Sequence, residues 1–119
     1  MKSRIIFFLV AFLSSMSVFA VSFDCSKATT FVEKTICSDA QLSEMDDALN
    51  DNYRSMASSN FGGSVKELKK EQIRWIKQRN KCQTRQCIVA SYKKRLDETC
   101  DYGVISGVHP ICKYSSDFE

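Results

Sequence analysis

The sequence predicts a small all-α domain: a disulfide-stapled bundle of three main helices, with a short helix before them and an irregular C-terminal tail. Apolar residues recur at steps of three and four through most of residues 31 to 98. The four glycines fall between those segments, Gly62 and Gly63 in one place and Gly103 and Gly107 in another, where helices have to stop. Six cysteines stand in a chain of 119 residues, an even number in a domain whose core is small for its surface.

The N-terminal segment has the order of a secretory signal peptide. Lys2 and Arg4 precede a wholly apolar run at residues 5–13, and the small-residue end Val18-Phe19-Ala20 follows. That run is too short to span a bilayer, and no later segment is longer. Cleavage near Val21 removes Lys2 and Arg4, so the 17 basic residues fall to 15 against 14 acidic ones, a net charge of +1. Cys25 follows Ser22, Phe23 and Asp24 rather than sitting at the cleavage point, so no lipid anchor is expected. The expected division is a signal peptide at 1–20, a helical domain at 21–100 and a tail at 101–119, and the expected location is the periplasm or the exterior.

An oxidising compartment turns the six cysteines toward three disulfides. Six cysteines allow fifteen pairings; chain order favours neighbours, Cys25 with Cys37 and Cys82 with Cys87, leaving Cys100 with Cys112 by elimination. The spacings match no zinc template, so no metal and no cofactor is expected.

Thr30 with Glu33 opens a short helix ending near Cys37. Ser38 with Gln41 reads as a capping box for a helix over about 39–58, along which Leu42, Met45, Leu49, Tyr53 and Met56 share a face. Ser64 with Glu67 opens a third over about 64–80, with Val65, Leu68, Trp75 and Ile76 on one side and Cys82 beyond. Ile88, Tyr92 and Leu96 define a fourth over about 85–98. The tail, with Val104, Ile105, Val108 and Ile111 among glycines and Pro110, reads as an irregular or short-strand arm held by its cysteine.

At about 100° per residue, some charged residues fall inside the apolar stripes. Asp46 lies beside Leu42, Leu49 and Tyr53; Gln72 and Arg79 lie among Leu68, Trp75 and Cys82; Arg95 flanks Ile88 and Tyr92. A buried charge needs a partner. Asp46 is therefore expected to pair with Arg79 or Arg95, with Gln72 and the hydroxyl of Tyr53 or Tyr92 completing a structural network.

These residues also carry a resemblance. Cys25, Glu33, Ile36-Cys37, Leu42, Asp46, Leu49 and Tyr53, then Gln72, Trp75, Arg79-Asn80 and Cys82, then Cys87-Ile88, Tyr92 and Arg95-Leu96 together resemble the LprI-type lysozyme-inhibitor domain family over about residues 25–100. The resemblance implies a small helical, disulfide-bonded bacterial envelope protein, and for some members inhibition of lysozyme. The chain departs from the pattern in lacking a lipoprotein cysteine and in carrying the Cys100–Cys112 tail.

Catalysis has few candidates. His109 is the sole histidine and reads as a loop residue beside Pro110; Glu44, Asp47 and Asp51 read as solvated helix acids rather than a glycosidase pair. The expectation is a binding protein, not an enzyme. Charge is segregated: residues 39–51 hold Asp39, Glu44, Asp46, Asp47 and Asp51 with no basic residue, whereas residues 66–95 hold eleven Lys or Arg against Glu67 and Glu71. Lys66, Lys70, Arg74, Lys77 and Lys81 fall opposite Trp75 as a basic stripe. For a cationic lysozyme with two catalytic carboxyl groups, the acidic helix, through Asp47 and Asp51, is a steering surface; the probe is the 60–64 loop, the tail around His109 and Lys113, or the Cys82–Cys87 turn with Lys81 and Arg85, and the turn is favoured because its bridge orders it before binding. The alternative is a non-catalytic envelope adaptor that binds an exported protein or an anionic envelope surface through the basic stripe. Export removes the protein from nucleic acid, so none is expected as a partner.

Overall fold

A computed structural model describes residues 21–59, 64–102 and 110–119. Residues 1–20, which the sequence reads as a signal peptide, the glycines at 62, 63, 103 and 107, and Val104, Ile105, Val108 and His109 lie outside these residues.

A 3-10 turn at Cys25–Lys27 leads into α1 (Phe31–Ser38), α2 (Ala40–Ser58), α3 (Val65–Arg79), α4 (Arg85–Asp101) and a second 3-10 turn at Ser115–Phe118. No strand occurs among the described residues, so the described part of the tail ends in a helical turn rather than the alternative of a short strand. The disulfides are Cys25–Cys37, Cys82–Cys87 and Cys100–Cys112.

Caps set the helix starts. Thr30 accepts from the Glu33 amide and Ser64 from the Glu67 amide, as their spacing predicts. At α2 the cap is Asp39, which accepts from the Leu42 amide, not Ser38. Ser38 is the last residue of α1, and its hydroxyl returns to the Lys34 carbonyl. Asp39 stands alone between the two helices in extended conformation (φ −112°, ψ 118°) and so takes the capping role. The joint is sealed inside by the Ser43 hydroxyl, which donates to the Ile36 carbonyl at 2.5 Å.

The most extensive packing is between α2 and α4, followed by α1 on α2; α3 touches both more lightly. Val32 and Ile36 of α1, Leu42, Met45 and Leu49 of α2, and Ile88, Tyr92 and Leu96 of α4 are buried in one core. Each such side chain contributes about 1.5–3 kcal/mol by leaving water. Of the apolar residues of α3, only Leu68 is buried. Val65 and Ile76, which the wheel places on the buried face, are exposed, because α3 leans on the bundle along a narrow line through Leu68, Trp75 and Arg79.

The arm after Pro110 returns to the bundle. Lys113 forms a two-way backbone pair with the buried Asn52 amide, whose Nδ2 donates to the Lys113 carbonyl at 2.8 Å while its Oδ1 accepts from the Lys113 amide at 2.9 Å. The Ser115 amide and hydroxyl both donate to Asp97, and Phe118 packs against the core.

Candidate functional site

The charged residues inside the helical stripes assemble into two clusters. Arg79, 5% exposed, lies 4.0 Å from Asp46, 3% exposed, and the Tyr92 hydroxyl joins them: it accepts from Arg79 Nη1 at 3.0 Å and donates to Asp46 Oδ1 at 2.7 Å. The other Asp46 oxygen accepts from the Ser22 amide at 2.6 Å. Burial, and then the Asp46 carboxylate beside it, raise the Tyr92 phenol far above the usual tyrosine range, so it stays a donor. The Arg79 guanidinium is also 5.4 Å from the Trp75 ring centre, and Trp75 meets Tyr92 edge-on at 4.9 Å.

The alternative pairing of Asp46 with Arg95 is not formed. Arg95 donates instead to Gln72 at 2.9 Å and to Glu98 at 3.2 Å, with Glu71 at 3.8 Å. It lines an open groove of about 530 Å³ between α3 and α4 that Trp75, Gln78 and Ser91 share. Gln72 therefore belongs to the Arg95 cluster rather than the Asp46 one, and the linking hydroxyl is that of Tyr92, not Tyr53. Both clusters face inward or along helix seams, and they hold α2, α3 and α4 together.

The outer chemistry is charge. Glu44, Asp47 and Asp51 are exposed along one side of α2 and border a depression of about 190 Å³ shared with Ala48, Lys113 and Phe118. The ridge continues toward the start of α2, where Arg85 Nε donates to Asp39 at 2.6 Å and Arg85 Nη2 to Gln41 at 2.8 Å. Gln41 in turn donates to the Phe118 carbonyl at 3.2 Å. The Arg85 hydrogen bond, and then the Leu42 amide, hold the Asp39 carboxyl below the usual range. Of the two cations assigned to the Cys82–Cys87 turn, Arg85 is thus engaged within the molecule, whereas Lys81 is exposed with no ion pair among the described residues. Asp47 and Asp51 are exposed and lie one turn apart on the ridge.

Gln41 and Phe118 have no part in the sequence reading of this surface, and Lys113 enters it only as a tail cation, not as a neighbour of the acidic helix. No local pattern marks the last two, because their position depends on the return of the arm. Asn52 carried a signal: the wheel that places Asp46 also puts Asn52 between Ala48 and Met45 on the buried side. Among the described residues no cluster of three or more His, Cys, Asp or Glu is arranged to hold a metal, and no helix is long and apolar enough to cross a membrane.

Fold and surface together define a disulfide-braced helical domain with an acidic ridge on one helix and a basic face on another. It belongs to the family described as Lysozyme inhibitor LprI, which matches residues 25–105, more than half of the chain. No curated protein and no solved structure matches it. The family region includes Asp46, Arg79 and Tyr92 and the first two disulfides; Cys112 and the returning arm lie beyond it.

Proposed function

We propose that the protein is an exported, non-catalytic inhibitor that binds a lysozyme-type glycoside hydrolase and covers its active-site cleft. Family membership supports the partner class, and the leader-like residues 1–20 support export. The observation that carries the reading is the exposed Glu44–Asp47–Asp51 ridge, continuous through Asp39 and Gln41 with the disulfide-closed turn that bears Lys81. Lysozymes are usually cationic overall, so the ridge steers encounter, while the cleft carboxyl groups favour a cation presented on an ordered turn. The Cys82–Cys87 bond and the Arg85 clamp order that turn before binding, which lowers the entropy cost of docking. Asp47 and Asp51 act in steering and Lys81 as the probe, with Arg85 holding the turn in place.

Oxidised protein lacking residues 1–20, added in molar excess, should slow cell-wall lysis by at least one of the animal-type, goose-type and invertebrate-type lysozymes. Unchanged lysis by all three would refute the proposal.

A further inference from the structure

We propose that the outward face of α3 docks onto an anionic phospholipid bilayer surface. Val65, Ile73 and Ile76 are 50%, 46% and 37% exposed, three aliphatic side chains on one helix left in water. At 100° per residue they occupy an arc of about 80°, bordered on one side by the seam residues Gln72 and Arg79. Lys69 stands within the arc, and Lys66, Lys77, Lys70 and Arg74 follow in order beyond Ile73, all exposed. Of these five cations only Lys70 has a carboxylate within ion-pair distance among the described residues, Glu67 at 3.5 Å.

Aliphatic and cationic side chains gain together in few settings. Against a polysaccharide the lysines would gain and the aliphatics would not, and an acidic protein would reward both only with an apolar patch of matching shape. At an anionic bilayer the aliphatics enter the boundary between headgroups and acyl chains, while the cations meet the negative surface potential. The fold makes little use of Val65 and Ile73: α3 is fixed by Leu68, Trp75 and Arg79, and Ile76, at the inner edge of the arc, also borders the small cavity beside Asp46, Leu49 and Arg79. The surface lies on a different helix from the acidic ridge, so membrane docking and lysozyme binding are separable.

The experiment uses the oxidised chain beginning at Val21, because the described contacts lie within residues 21–119 and the apolar run at 5–13 would itself bind lipid. Co-sedimentation is measured with vesicles of phosphatidylcholine, with and without phosphatidylglycerol, over a salt series. Binding should require phosphatidylglycerol and weaken with salt. Lys66→Gln with Lys70→Gln and Lys77→Gln should lower partitioning roughly a hundredfold, and Val65→Asn with Ile73→Asn at least roughly tenfold. Both variants should keep the thermal midpoint and any lysozyme inhibition. Three results would overturn the proposal. One is no binding to anionic vesicles at low salt. Another is binding that the Val65 and Ile73 substitutions leave unchanged, which would reduce it to charge attraction alone. The third is sedimentation-velocity self-association lost in the same aliphatic variant, which would make a second copy the occupant.

Discussion

The Tyr92 hydroxyl donates to Asp46 across 2.7 Å, and through it Arg79, itself 4.0 Å from that carboxylate, reaches the buried charge. Neither charged residue has appreciable contact with solvent. Tyr92→Phe removes the bridge and leaves one Arg79 N–H and one Asp46 oxygen each short of a partner. The expected cost is about 1–3 kcal/mol, read as a lower denaturant midpoint with unchanged slope. Asp46→Ala strands the Arg79 charge and should cost more, about 3–5 kcal/mol.

The same phenol gives a pH signature. In the unfolded chain Tyr92 ionises near pH 10, while in the folded protein burial and Asp46 hold it protonated far above that. Above pH 10 the unfolded state therefore binds fewer protons than the native state, and stability falls as pH rises. Tyr114, raised by its hydrogen bond to Asp101, adds to the slope in the same direction. The alkaline limb of a midpoint-against-pH curve should be shallower in Tyr92→Phe than in the unaltered protein. Parallel limbs would show that Tyr92 titrates normally and that the bridge is not closed.

At the acid end, Asp39 is the reporter. Its folded pKa lies below the unfolded value near 3.9. Its contribution is therefore present above pH 3.9 and is lost as pH falls through the lower folded value. Asp39→Ala deletes both the α2 cap and the Arg85 partner; the cap dominates at about 1 kcal/mol, since the ion pair involves a half-exposed Arg85 and is screened. The loss should be visible at pH 7 and shrink only in part below pH 3, where the protonated carboxyl gives up Arg85 but keeps a carbonyl oxygen for the Leu42 amide, when both proteins are compared by thermal melts. Asp39→Asn should recover most of the stability, because an amide oxygen still caps.

The helices were legible because periodicity and capping are local properties, and Asp46, Arg79 and Arg95 stood out because a charge inside an apolar stripe needs an internal partner. Which arginine Asp46 takes is a matter of how α3 and α4 are staggered. One wheel per helix does not contain that stagger, and Tyr92 rather than Tyr53 faces Asp46 for the same reason. Ser38 with Gln41 reads as the α2 cap in sequence; the one-residue link between α1 and α2 gives the role to Asp39 instead. The acidic character of α2 was readable, but its continuation through Gln41 to Phe118 was not, since it is built by residues far apart in the chain.

The arm offers a test of how that continuation is held. Asn52, 1% exposed, pairs with both backbone groups of Lys113 and also donates to the Thr99 hydroxyl. Asn52→Ala leaves the part-buried Lys113 backbone groups short of a partner and opens a cavity, at an expected cost of about 1–3 kcal/mol. The Cys100–Cys112 bond still tethers the arm, so the bundle should persist while the Lys113 and Ser115 amides lose hydrogen-exchange protection. Protection at both amides equal to that of the unaltered protein would mean that the disulfide, Asp97 and Phe118 hold the arm without Asn52.

Steering by the acidic ridge makes a kinetic prediction that an equilibrium assay would miss. Glu44→Lys with Asp47→Lys and Asp51→Lys reverses three exposed charges while leaving the buried Asp46 and the core untouched. Opposed fields slow encounter far more than they change a docked contact, and steered association exceeds unsteered rates by about two orders of magnitude or more at low salt. Association with an inhibited lysozyme should therefore slow at least roughly tenfold at low ionic strength, with the gap narrowing as salt shortens the Debye length to about 3 Å near 1 M. Lys81→Glu should act differently: as the probe inside the cleft it should speed dissociation, with a smaller effect on the on-rate. If the triple reversal leaves association unchanged at low salt while inhibition persists, the ridge is only a solvated helix face and docking runs through the turn alone.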